Sequence, residues 1–187
     1  MDFNLNDMEN FTDLTHLKFP IGPFVKKEEY SSEELRSLIE DIKNAPVAYK
    51  SLAESFSQDD LLKEYRPGGW NVGQLIHHVA DVQLLHFLRM KRAITESDYK
   101  EVTLVNVDGW ANTKDGTIAP VEDSILMLEG ITKRYVFLIK SLSADELRIA
   151  YYHPVRDFHI SQVQAVAMSA WHLKHHLAHI NLALQNL

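Results

Sequence analysis

Apolar residues recur at intervals of three and four in four stretches of the chain, and each stretch begins with a helix-start signal. Ser31-Ser32-Glu33-Glu34 is a capping box, followed by Leu35, Leu38, Ile39 and Ile42. Pro46 is expected to kink or restart this first helix, which Val47, Leu52 and Phe56 carry on to about Ser57. Asn71 with Gln74 opens a second helix to about Ile94, after a loop through Tyr65-Arg66-Pro67-Gly68-Gly69. Pro120 fits the first turn of a third, whose face is Ile125, Leu128, Ile131, Tyr135, Leu138 and Ile139 up to about Leu142. Ser161 with Gln164 caps the last helix, with Val163, Val166, Ala170, Leu173, Leu177, Ile180 and Leu184 on one face.

The intervening segments are predicted as follows. Residues 1–30 lack periodicity and form an irregular arm whose Phe19, Phe24 and Val25 pack on the body. Residues 95–119 are a long polar connection with the character of a lid or rim. Ser143 to Glu146 starts a short helical turn, and the β-formers around Pro154 suggest a small hairpin. The pattern as a whole predicts an all-α helical bundle over residues 31–187, with a crossover permitted by the 95–119 connection.

Composition narrows the function. A chain of 187 residues is long enough for one complete core. A net charge of −7 without a basic run argues against nucleic acid. No apolar run reaches the ~18–20 residues of a membrane span, and the acidic start MDFNLNDMENF has no signal-peptide character, so a soluble cytoplasmic protein is expected. Cysteine is absent, so a bound metal would rely on His, Asp or Glu.

The candidate chemistry lies in Trp171 to Ile180, where His172, His175, His176 and His179 are set among Leu, Ala and Ile. Residues four apart share a helical face, so His172 with His176, or His175 with His179, can grip one ion. The apolar stripe favours His172 and His176 and turns the other pair away. On the second helix, Leu75, Val82 and Leu85 surround His78 and point it inward, whereas His77 turns to the rim. Three imidazoles without a thiolate suit Zn²⁺ or a similar divalent transition metal and leave a position for water or an external thiolate. A zincin-type protease is excluded because the glutamate of HExxH is missing. The bland alternative is a set of hydrogen-bonded or solvated histidines. Asp81 is a candidate acid/base or carboxylate behind a ligand, against a plain solvated carboxylate. His153 is a candidate proton shuttle, against a surface histidine. Trp110 could line a pocket or anchor its loop, and Trp70 reads as a packing residue. Arg89 and Arg134 could each bind an anionic substrate group or lie on the surface.

The segments FPIGPFV, YRPGGWNVGQLIHHVAD, LRMKRAITE, DGWAN, YYHP and AWHLKHHLAHI together resemble the YfiT-like metal-dependent hydrolases of the DinB superfamily, relatives of the bacillithiol transferases. The resemblance spans most of the chain beyond residue 18, whereas the stretch before LKFPIG departs from the short family start. It implies a DinB-type four-helix bundle, a homodimer, and one Zn²⁺ or Ni²⁺ per subunit on His78, His172 and His176. The implied activity on a small-molecule substrate is hydrolysis by metal-bound water. The alternatives are transfer of a low-molecular-weight thiol such as bacillithiol through a metal-activated thiolate, and a non-catalytic bundle stabilised by its metal.

Overall fold

The computed structural model describes residues 14–185, so the first part of the expected arm, residues 1–13, lies outside the described residues. Along the chain the elements run α1 (Thr15–Lys18), α2 (Ser32–Ala53), α3 (Gln58–Leu61), α4 (Val72–Thr95), α5 (Val107–Ala111), α6 (Lys114–Ile118), α7 (Val121–Ser141), α8 (Ala144–Arg148), β1 (Ala150–His153), β2 (Phe158–Ser161) and α9 (Gln162–Gln185). The four long helices form the expected bundle, with the hairpin before the last of them. Among the described residues no helix is long and apolar enough to cross a membrane.

The order of helices around the bundle is α2, α7, α4, α9, so each packs on two neighbours and faces the fourth across the core. The connections from α2 to α4 and from α7 to α9 therefore run across the bundle. The 95–119 connection, whose length permitted a crossover, joins adjacent helices. One core fills the centre, built from Ile42, Tyr49, Leu75, Ile76, Leu128, Tyr135, Leu173 and Ile180 among others. A polar thread crosses it: Ser169 on α9 donates to Gln83 Oε1 on α4 at 3.0 Å, and Gln83 Nε2 donates to Thr132 on α7 at 3.3 Å. Pairing these buried groups with one another avoids the cost of leaving them unsatisfied.

Capping fixes most helix starts. Reciprocal boxes close at Ser31/Glu34, Ser57/Asp60, Asn71/Gln74 and Ser143/Glu146. Helix α2 continues through Pro46, which is buried within it, and ends at Ala53 rather than Ser57 because Ser57 caps the next short helix. The 95–119 segment is more ordered than its polar sequence suggested. Asn106 and Thr113 cap α5 and α6. Val102 N donates to the Tyr152 carbonyl at 2.9 Å, and Tyr152 N to the Lys100 carbonyl at 2.8 Å, tying the segment to the hairpin. Gly116 is needed where these helices touch, since a Cβ there would stand 2.8 Å from the Trp110 carbonyl oxygen.

In the hairpin, Tyr151 pairs with Ile160 and His153 with Phe158. Its turn is closed by Asp157 at φ +53°, whose carboxylate accepts from the Tyr152 hydroxyl at 2.6 Å. A second apolar cluster, including Tyr99, Val102, Tyr151, Ile160 and Met168, seats the hairpin on the bundle, and Phe24 of the arm packs against it. The arm follows α9: Gln164 donates to the Lys27 carbonyl and Trp171 Nε1 to the Gly22 carbonyl. Val25, expected to pack, is 76% exposed instead, since successive residues of an extended arm face opposite ways.

Candidate metal centre

Helix α4 starts at the Asn71 cap and brings His78 inward about two turns later, while α9 carries His172 and His176 on a neighbouring wall. The three rings meet. His78 Nε2 and His172 Nε2 are 3.1 Å apart, and ring centroids stand 5.1 Å (His78 to His172), 4.7 Å (His78 to His176) and 4.5 Å (His172 to His176) apart. One nitrogen from each ring lies within 4.8 Å of the others. Two nitrogens bound ~2.0–2.1 Å from one tetrahedral ion stand about 3.3–3.4 Å apart, so the donor set fits a small divalent cation. His78 and His176 are buried, whereas His172 keeps part of its surface accessible.

Burial holds all three imidazoles unprotonated. His78 is lowered to about 4 and His172 and His176 fall well below the usual range, chiefly through desolvation and then through the neighbouring rings. A neutral ring offers a lone pair, the form a metal requires. Trp70 forms a wall at 4.6 Å from the His78 ring and stacks toward His176 at 6.4 Å, a closer association with the site than a plain packing role.

A second group, His175, His176 and His179, also brings its nitrogens within 4.8 Å. Its chemistry differs. His179 Nε2 lies 3.2 Å from the Lys18 carbonyl oxygen, which can only accept, so that nitrogen carries the hydrogen. In neutral His179 the Nδ1 is then the acceptor, and His176 Nδ1, 3.2 Å away, must donate to it. Both nitrogens of His179 are thereby used, and His176 is left with its free lone pair on Nε2. The Tyr65 ring at 4.0 Å from His179, and Trp171 and Phe19 at 4.4 and 6.0 Å from His175, cover this group. The expectation that His175 and His179 turn away from the body is therefore corrected: they are 6% and 2% exposed, because the arm and Tyr65 lie over them.

The other candidates separate. His77, expected at the rim, is buried and engages Ser124 Oγ of α7 at 2.7 Å. Asp81 lies one turn along that same face, its carboxyl raised by burial and by Asp115, and shares no hydrogen bond with the triad. His153 is 8% exposed at the end of β1, with Nδ1 unpartnered, and is held unprotonated, lowered to about 4 by burial and by Arg89 and Arg156. His86, not singled out from the sequence, is buried with its ring 6.0 Å from His172 and is held unprotonated by burial, Arg89, Arg156 and His153. Its signal was its place two four-residue steps beyond His78 on α4. Trp110 is 39% exposed on α5, and Arg134 is exposed, stacking over Phe87 at 5.2 Å. Arg89 is buried. A surface recess of about 690 Å³ between α2 and α7, lined by Val47, Lys50, Phe137 and Lys140 among others, contains none of the clustered histidines.

Known proteins share this architecture. The chain is 37% identical over 168 residues to a protein of Halalkalibacterium halodurans, covering 89% of this chain and 96% of that one. It is 35% identical over 167 residues to one of Bacillus pumilus, covering 89% and 94%. Both carry the name "Putative metal-dependent hydrolase". Among solved structures, YfiT from Bacillus subtilis superposes with a TM-score of 0.86 at 29% identity, over 91% of this chain and 97% of its own. It is described as a probable metal-dependent hydrolase with an unusual four-helix bundle topology, and crossed connections are what the present bundle shows. The family profile of the DinB superfamily matches residues 41–180, a span containing every histidine of the cluster. With fold and sequence in agreement, the chain belongs to the DinB superfamily.

Proposed function

We propose that His78, His172 and His176 hold one divalent transition metal, Zn²⁺ or Ni²⁺, and that the protein is a metal-dependent hydrolase of a small-molecule substrate. The observation that carries this reading is the convergence of three unprotonated imidazoles from two helices, one of them still accessible to solvent. An ion bound there supplies Lewis acidity, lowering the pKa of a water and polarising an acceptor oxygen. The chain's own residues do the remainder. His179 sets the tautomer of His176, which aligns its lone pair before any ligand arrives. Trp70 shields one side of the triad from water. Of the two acid/base candidates, His153 acts electrostatically on His86, whose ring stands 6.0 Å from His172, whereas Asp81 is influenced by Asp115 and shares no hydrogen bond with the triad. His153, unprotonated at neutral pH, is the group to accept a proton at its free Nδ1.

Elemental analysis of the purified protein tests the metal assignment. About one ion per chain is expected in the wild type and nearly none in His176→Ala, and equal content in the two sinks the proposal. Hydrolysis of a panel of activated esters and amides should disappear on chelation and return with Zn²⁺ or Ni²⁺. A parallel assay with a low-molecular-weight thiol and an electrophile separates hydrolysis from thiol transfer: metal-dependent conjugation without water addition would replace the hydrolase reading by a transferase.

A further inference from the structure

We propose that Arg89 and Arg156, grouped around His153 beside the triad, bind an oxyanionic group of the substrate, a carboxylate or a phosphate. The inference rests on the metal-centre reading above for its claim that the bound molecule is the substrate. Arg89 lies three residues beyond His86 on α4 and is only 9% exposed. Its Nη2 donates to the Thr103 carbonyl at 2.9 Å, while its Nε is buried without any partner. Arg156 is an exposed residue of the hairpin turn, its backbone N–H donating to the His153 carbonyl at 3.0 Å and its guanidinium, partly desolvated, 5.9 Å above the Phe24 ring. The Thr103 carbonyl that Arg89 grips follows Val102, whose N–H donates to the Tyr152 carbonyl at 2.9 Å, so Arg89 is held against the strand that carries His153. Both cations help keep His153 and His86 unprotonated.

No negative charge balances them. Among the described residues the arginine ion pairs are Arg92 with Glu96 and Arg148 with Asp145, and neither Arg89 nor Arg156 has one. Asp157, next to Arg156 in the chain, is engaged by the Tyr152 hydroxyl instead. A buried guanidinium without a counter-ion is expensive to maintain, and here it sits in a chain whose net charge is −7 and which has acidic side chains in excess. The backbone alternative of a Thr103 carbonyl satisfies one donor of five. A planar fork offering further donors recognises two oxygens of a carboxylate or phosphate. His153 in this corner is a neutral ring and brings no charge of its own, so the two guanidinium groups are what await an anion, Arg89 with its Nε buried and unpartnered.

The test is calorimetric titration of the full-length, metal-loaded protein with succinate and with inorganic phosphate, alongside Arg89→Gln, Arg156→Gln and His176→Ala. At least one probe is expected to bind the wild type, and the tighter of the two identifies the oxyanion. Each arginine variant should weaken that binding by about tenfold or more, with metal content unchanged by elemental analysis. His176→Ala should lose the metal and retain anion binding, since its ring is not part of the corner. Equal affinity in the wild type and both arginine variants, with loss only in His176→Ala, would mean that the anion merely coordinates the metal, and this overturns the inference while leaving the metal centre standing. Failure of both probes to bind the wild type overturns it as well. Arg156 lies on an exposed turn, so its variant decides the matter should Arg89→Gln fold poorly. If His176→Ala keeps its metal while the arginine variants lose the anion, the oxyanion site stands and the metal assignment falls.

Discussion

His179 shows how one side chain can govern a site it does not enter. Its two hydrogen bonds run from the Lys18 carbonyl to His176, and their direction is forced by the carbonyl, which has no proton to give. Removing it as His179→Ala should leave His176 free to adopt either tautomer and weaken metal binding about 10- to 100-fold, measured by competition with a chromophoric chelator. His179→Gln, which restores an acceptor, should recover part of that loss. Unchanged affinity in the alanine variant would refute the relay. At this scale the sequence was partly legible. The inward direction of His78 follows from Leu75, Val82 and Leu85, because these three neighbours on one helix decide it. The burial of His175 and His179 does not follow, since it depends on an arm more than 150 residues away in sequence laying Lys18 and Phe19 over them. Nor does the burial of Arg89, whose cover comes from the 95–119 segment and the hairpin.

Elements whose ends are written locally were the legible ones. The Asn71/Gln74 box closes with N···O distances of 2.8 and 3.1 Å, and the start of α4 falls where those residues placed it. Gln74 also reaches forward, donating to the Ala111 carbonyl at 2.9 Å, so the same box ties α5 to the helix that carries His78. Asn71→Ala should therefore cost about 1 kcal/mol in the urea-unfolding free energy. A cost indistinguishable from zero would show that packing alone fixes the start of α4. The short helices α3, α5 and α6 were missed because four or five residues are too few to display a period. Helix α9 exceeds its predicted stripe for a different reason. It packs on α2 and α4, on the hairpin and on the arm, so it is buried on most of its circumference, and a one-face analysis accounts for only part of it.

Taken as a whole, the molecule gathers basic groups in its interior, and this sets its response to acid. Eight histidines are held below their ordinary range by burial: His77, His78, His86, His153, His172, His175, His176 and His179. His86 falls to about 3, and His78, His153 and His175 to about 4. In the unfolded chain each ring titrates near ~6.5. Between these values the unfolded state binds more protons than the folded one, so stability is complete above pH ~6.5 and is lost as the pH falls toward ~4. At pH ~5 a ring lowered to about 4 costs on the order of 2 kcal/mol. Several together rival the ~5–15 kcal/mol that a whole domain has to lose. The metal-free protein is therefore expected to unfold in mild acid, above the range in which carboxylates protonate. Urea-unfolding free energies of chelator-treated protein should be level from pH 7.5 to about 6.5 and then fall steadily toward pH 4.5. His153→Gln should shallow that slope by about 1.4 kcal/mol per pH unit, one histidine's share. Midpoints that stay level from pH 7.5 to 5 would mean that water reaches these rings and that the interior is not the dry, basic cluster described. Loading with Zn²⁺ should raise the midpoint at pH 7.5, since an ion that binds only the folded chain stabilises it. It should also steepen the acid limb, because protons then compete directly with the ion for the same lone pairs.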